Sequence, residues 1–188
     1  MMAYTEDDML KFDREDLSPA DLLVLFISGN SPALRTRIQK ISFLYDEIYN
    51  KERKEADHHA YFFGGYSDDI EESMENLVDM GVLDEGRDGY VLTEYGKALT
   101  ESLMDQKDQR EKKERIDRIK NALSNVADRR VVGLTYRFYE ETASNSAIRS
   151  SVERMNLSSK IDGKFLLDVD KEEFENYLRT GKPINMTS

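Results

Sequence analysis

Apolar positions along the chain fall into blocks separated by charged or turn-forming stretches. The first block is the densest. Leu22, Leu23, Leu25, Phe26 and Ile27 are apolar nearly all round a helix, a pattern that predicts deep burial. Ser18-Pro19 ahead of them offers an N-cap with proline in the first turn, Asp21 supports the cap, and Gly29-Asn30 stops the helix. A second helix is predicted from about Leu34 to Lys51, with Ile38, Ile41, Phe43, Leu44, Ile48 and Tyr49 on one side. After the charged segment Lys51 to Asp57 comes the aromatic run from Tyr61 to Tyr66, whose Gly64-Gly65 pair reads as a tight turn. Ser67 then caps a third helix through Ile70, Met74, Leu77, Val78 and Met80, and Gly81 ends it in the left-handed conformation.

Val82-Leu83 begins an extended segment, Glu85 to Gly89 reads as a hairpin turn, and Tyr90-Val91-Leu92 returns as the partner strand. Thr93 caps a further helix through Leu103. Asp105 to Arg115 holds no apolar residue, yet Asp108–Lys112, Glu111–Arg115 and Glu114–Arg118 are spaced i,i+4 with the acid N-terminal, which favours helix over linker. Ile116, Ile119, Leu123 and Val126 continue it as an apolar seam, which packs either on the C-terminal region or on a second copy of the chain. Val131 to Tyr139 and Ser144 to Met155 read as short helices, Phe165 to Val169 as a short strand, and Asp170 caps a last helix that ends at Gly181.

The expected organisation is an acidic tail (1–16), a first domain (17–104), a charged connecting helix (105–127) and a small helical C-terminal region (128–188) with a short strand near 165–169. The fold class is mainly α (α+β). Three helices, a small hairpin and another helix resemble, in that order, a winged helix-turn-helix domain. The periodicity predicts the elements; their arrangement is what the resemblance implies.

Composition narrows the chemistry. The 188 residues hold 38 Asp+Glu against 27 Lys+Arg, a net charge of -11, with no cysteine and no tryptophan. Without cysteine there are no disulfides, thiolate metal sites or cysteine nucleophiles. No apolar run approaches the roughly 18 residues of a membrane span. With no basic-then-apolar signal segment at the start, a cytoplasmic protein is expected. The acidic balance opposes diffuse binding to polyanions.

No catalytic, metal or cofactor set emerges. His58 and His59, the only histidines, are adjacent, so neither a helix nor a strand would converge them on a metal. Gly64-Gly65 lacks the Lys-Ser/Thr or third glycine of a phosphate loop, and no G-x-S-x-G occurs. A metal-dependent hydrolase using His58 or His59 is a distant third reading.

The third helix, in the position of a DNA-recognition helix, carries Asp68, Asp69, Glu71, Glu72, Glu75 and Asp79 and no Lys or Arg. Each acid there would meet phosphate repulsion. Asp68, Asp69, Glu71, Glu72 and Glu75 are instead candidates for binding a protein partner. Basic residues gather elsewhere: Arg35, Arg37 and Lys40 start the second helix, Arg87 lies at the hairpin tip, and Lys112, Lys113, Arg115 and Arg118 belong to a stretch of local charge +4. These are the candidates if nucleic acid is bound.

The block Thr36-Arg37-Ile38-Gln39-Lys40-Ile41-Ser42-Phe43-Leu44, followed by Phe62-Phe63-Gly64-Gly65-Tyr66-Ser67 before an acidic helix, resembles the YwgA-like family of prokaryotic winged-helix proteins, which is similar to Panacea-type antitoxin domains. Gly65 stands where that family has proline. Leu92-Thr93-Glu94-Tyr95-Gly96 matches a common exit from winged-helix wings, and Tyr136 to Glu140 with Asn145 to Ile148 matches a later family segment without its proline. The resemblance spans about residues 18–150 and implies a fold and a regulatory role through a partner protein, with no catalytic residues. The leading expectation is therefore a non-catalytic winged-helix regulatory or interaction protein working through protein contacts, with a partner or a second copy of itself. Tyr61, Tyr66 and Tyr95 are aromatic candidates for such a contact. The alternative is a dimeric winged-helix DNA-binding transcription regulator.

Overall fold

The structure, a computed structural model, describes residues 14–61, 64–139, 160–161, 163–165 and 168–184. Helix α1 (Pro19–Ile27) opens on a complete capping box, in which the Ser18 hydroxyl accepts from the Asp21 amide and the Asp21 carboxylate accepts from the Ser18 amide. Leu23 to Ile27 are all buried, as an all-round apolar helix requires. Helix α2 (Arg35–Tyr49) packs on α1 and is buried continuously from Ile38 to Ile48. That run takes in Gln39, Lys40, Ser42, Asp46 and Glu47, polar side chains that the one-sided apolar pattern did not place inside.

Beyond α2 the chain forms a short antiparallel hairpin, β1 (His59–Tyr61) and β2 (Gly64–Tyr66), with His59 opposite Tyr66. Gly64-Gly65, expected as a tight turn, lie instead in β2. The reason is contact: a Cβ on Gly65 would come within 2.8 Å of the Phe43 ring. Helix α3 (Asp68–Asp79) follows from its Ser67 cap, packs chiefly on α1, and gives way to Gly81 at φ +71°.

Strands β3 (Leu83–Gly86) and β4 (Gly89–Leu92) pair Glu85 with Tyr90 and Gly86 with Gly89, which narrows the turn to Arg87-Asp88. Ala33, between α1 and α2, forms an antiparallel bridge to Tyr90 through two 2.9 Å backbone hydrogen bonds, and the Leu92 amide donates to the Gly29 carbonyl at 3.0 Å. The hairpin is thus stitched to the α1–α2 connection. Gly89 makes the stitch fit: its φ is +118°, and a Cβ would fall 2.3 Å from the Ala33 carbonyl oxygen. Gly89→Ala should therefore cost more than the roughly 1–3 kcal/mol of a strained backbone alone. A lower thermal midpoint together with faster hydrogen exchange at the Tyr90 amide would register it, and wild-type values for both would refute it.

Helix α4 (Glu94–Leu103) starts where the Thr93 hydroxyl accepts from the Gly96 amide. The charged stretch is helical, as α5 (Lys107–Ala122), and its seam residues Ile116, Ile119 and Leu123 are fully buried. They face α1, α2 and the final helix α7 (Lys171–Thr180). The expected i,i+4 pairs do not form. Lys112 reaches instead to Glu55 at 2.8 Å, Arg115 lies over the Tyr49 ring, and the pairs along the helix are Lys107–Glu111, Lys113–Asp117 and Lys120–Asp117. An exposed helical pair contributes only about 0.3–0.5 kcal/mol, so a half-buried tertiary partner outcompetes it.

Helix α6 (Asp128–Phe138) packs on α2, and Phe138 stacks on Phe174 of α7 with ring centroids 4.6 Å apart. A small hairpin, β5 (Lys160–Ile161) and β6 (Lys164–Phe165), precedes α7. The strand expected over 165–169 is therefore displaced, since Asp168 and Val169 lie outside any strand. The helix expected over Ser144–Met155 and residues 1–13 of the tail fall outside the described residues. One hydrophobic cluster runs from Ala20 to Ile184 through every one of these helices. The described chain is mainly helical with small antiparallel hairpins. Among the described residues no helix is long and apolar enough to cross a membrane.

Candidate functional site

Helix α3 sorts its residues by period. Ile70, Met74 and Leu77 enter the core, while Asp68, Asp69, Glu72, Glu75, Asn76 and Asp79 face solvent. Three acids in its first turn also suit the positive end of the helix dipole. Of the five acids expected to meet a partner, Asp68, Asp69, Glu72 and Glu75 lie on this face. Glu71 does not. It pairs with Arg35 at 2.5 Å and is only 17% exposed, because α2 approaches α3 on that side. Burial, with Glu71 adding to it, pushes the nearby Tyr66 hydroxyl up to about 12. Tyr66 and Tyr95 are half-buried, and the Tyr61 side chain lies outside what is described.

The basic candidates on α2 all have partners within the molecule, although the Arg35 side chain stays half exposed. Arg35 donates to the Tyr90 hydroxyl at 2.8 Å, and that hydroxyl donates on to Glu85 at 2.7 Å. The acidic neighbours of these bases are Glu71, Glu85 and Asp128; Asp21 serves its own helix cap. Arg37 donates to the carbonyls of Leu123 and Val126 and pairs with Asp128 at 2.6 Å. It therefore closes the end of α5 and the start of α6 with one guanidinium. Hydrogen bonds to a charged group contribute about 1.5–3 kcal/mol each, so Arg37→Ala should lower unfolding stability by roughly 2–4 kcal/mol. Urea denaturation checks this; a loss below 1 kcal/mol would mean that Arg37 is free for another role.

Lys40 corrects the sequence reading most directly. It is 2% exposed and donates to the Gly65 carbonyl at 2.6 Å, so it cannot reach a phosphate. Beside it Gln39 grips Ser67 twice: its amide nitrogen donates to the Ser67 carbonyl and its carbonyl accepts from the Ser67 amide, both at 2.9 Å. The two sequence blocks that carry the family resemblance thus meet, and Gln39, Lys40 and Phe43 hold β2 and the start of α3. Among the other candidates, Lys112 and Lys113 hold Glu55 and Asp117, and Arg115 covers Tyr49. Arg87 and Arg118 remain exposed.

His58 and His59 part company. The His58 ring is fully buried against Phe43, while the His59 ring packs on Tyr66. His58 Nε2 stands 3.4 Å from Asp46, a fully buried side chain whose carboxylate accepts from the Glu55 and Ala56 amides. Asp46 went unremarked in the sequence. Its signal was an acid amid the apolar residues Phe43, Leu44, Tyr45 and Ile48. Among the described residues no three His, Asp or Glu groups converge closely enough to hold a metal ion.

Between the start of α1 and the solvent face of α3 lies an open cleft of about 340 Å³, lined by Asp21, Glu55, Asp69, Glu72, Ser73 and Asn76. Four carboxylates line it without converging on one point, and Lys112 offsets one of them. Carboxylates and carbonyls are acceptors only, so such a cleft suits a donor-rich cation and repels an anion. Comparison with protein-family models, with curated proteins and with solved structures finds no match.

Proposed function

We propose that this chain is a non-catalytic winged-helix module that acts by presenting the acidic face of α3 to a basic surface on a protein partner. The winged-helix reading draws on the element order α1–α2–α3–hairpin–α4 and on the Ala33–Tyr90 bridge, which adds a third extended segment to the β3–β4 wing. The likeness to Panacea-type domains points in the same direction. One observation carries the partner reading. The helix that a DNA-reading relative would place in the major groove exposes Asp68, Asp69, Glu72 and Glu75, while Arg35, Arg37 and Lys40 are engaged internally. Complementary charge speeds encounter and selects partners.

Two measurements test it. Duplex DNA of random sequence should not bind at about 50 mM salt, where phosphate-driven affinity is strongest. Proteins captured from a native extract should be released when Asp68 and Glu75 are changed to lysine. Steeply salt-dependent DNA binding, weakened by changes at Arg87 and Arg118, would favour the dimeric DNA regulator instead.

A further inference from the structure

Another open cleft, also of about 340 Å³, lies between the α1–α2 connection, α2 and the C-terminal end of α5. Ile27, Pro32, Ala33 and Ile41 give it an apolar wall. Its charged lining residues are Lys120 and Arg37, both cations. In a chain with 38 Asp+Glu, no carboxylate among the described residues lines this cleft.

The two cations differ in what they have left. Arg37 is committed to the Leu123 and Val126 carbonyls and to Asp128. Lys120 is less fully engaged. Its ammonium donates to the Phe26 carbonyl at 3.2 Å and, more weakly, to the Ser28 carbonyl at 3.4 Å, acceptors at the end of α1. An ammonium has three donors, and Asp117 Oδ1 stands 3.9 Å away, beyond hydrogen-bond reach. The other oxygen of Asp117 already holds Lys113. Lys120 therefore keeps one donor, and a charge without a close counterion, on a side chain that is 29% exposed. Burial lowers its pKa against the pull of Asp117, and Lys113 adds to the fall. An anion beside the ammonium would act in the opposite sense.

An apolar wall with one under-compensated ammonium suits a small molecule with a hydrocarbon body and a single negative charge. The chain's net charge of -11 disfavours a multiply charged anion. We infer that this cleft binds a small organic monocarboxylate, whose carboxylate accepts from the Lys120 ammonium while its hydrocarbon part lies on Ile27, Pro32, Ala33 and Ile41. No residue of α3 lines this cleft, so this site and the partner face of α3 stand or fall separately.

The test follows amide NMR shifts of the full chain with phenylacetate as the probe. Phenylacetate should move the Gly29, Ala33, Asn121 and Ser124 resonances saturably, with a dissociation constant on the order of 1 mM. Phenylacetamide, of the same shape but uncharged, should not. Lys120→Met, unbranched and uncharged, should weaken binding about tenfold or more. Asn121→Asp sets a carboxylate at an exposed lining position and should weaken it about threefold or more. Lys97→Gln removes a cation from α4, outside the cleft, and should leave binding unchanged. If Lys120→Met fails to give a dispersed spectrum, Asn121→Asp, exposed on the last turn of α5, carries the test. Absence of saturable shifts, equal binding of phenylacetamide, or full binding by either Lys120→Met or Asn121→Asp overturns the assignment. Tighter binding of inorganic phosphate than of phenylacetate also overturns it, because the apolar wall would then contribute nothing.

Discussion

Asp46→Ala is expected to be the most damaging single substitution outside the apolar core, costing roughly 3–5 kcal/mol of folding stability. The side chain is fully buried, and its two oxygens accept from the Glu55 and Ala56 amides at 3.0 and 3.2 Å. Alanine would leave those two donors without their acceptor and remove the carboxylate that lies 3.4 Å from His58 Nε2. Each unsatisfied buried donor costs about 1–3 kcal/mol. Domains hold only about 5–15 kcal/mol in total, so the variant would lose a large part of its margin. Chemical denaturation at neutral pH reads the loss directly. Asp46→Asn, which keeps one acceptor oxygen, should fall in between. A variant within 1 kcal/mol of wild type would show that the loop from Asn50 to His58 is held by something else.

Lys40 gives the second large effect, and pH reveals it. Burial lowers its pKa from the ordinary 10.5 to about 8. Below pH 8 the amine is charged in both the folded and the unfolded chain, and the penalty of burying that charge is fully present. Between pH 8 and 10.5 the folded protein has released the proton while the unfolded chain still holds it, so stability rises with pH. At 1.36 kcal/mol per unit the gain is about 3 kcal/mol across the window. Tyrosines work against it above pH 10: burial raises Tyr45 and Tyr66 to about 12, so ionisation then favours the unfolded chain. The measurement is therefore a difference. Wild type minus Lys40→Met, followed by urea midpoints from pH 7 to 10, should climb steadily, and a flat difference would contradict the burial of a lone ammonium.

The two residues with the largest expected effects both belong to α2, and both act on the segment that leads into α3. Gln39, Lys40 and Phe43 hold Gly65 to Ser67 from one side, and Asp46 holds Glu55 and Ala56 from the other. The acidic face and its cleft are thus presented on a braced helix. Preorganisation of this kind lowers the ordering cost of binding.

Much of this was legible in the chain. Ser18, Ser67, Thr93 and Asp170 cap the helices they were expected to cap, since a cap is set by residues within one turn. Gly81 and Gly181 follow their helices at positive φ for an equally local reason. The β1–β2 hairpin was missed because its glycines mimic a turn, and only contact with Phe43, far along the chain, explains why one of them must be glycine.

Sequence alone therefore determined the helices of the described residues, the β3–β4 hairpin and the acidic character of α3, because periodicity, capping and side-chain charge are read over a few residues. Tertiary structure decided which charges are available. Arg35, Arg37, Lys40 and Lys112 looked like a basic surface until folding gave them Glu71, the Leu123 carbonyl, the Gly65 carbonyl and Glu55. Those partners lie 25 to 86 positions away. Arg37, Lys40 and Lys112 take the partners that the fold brings into largely desolvated sites, where the interaction is stronger than any neighbour on an exposed helix face can offer, while Arg35 meets Glu71 at the surface.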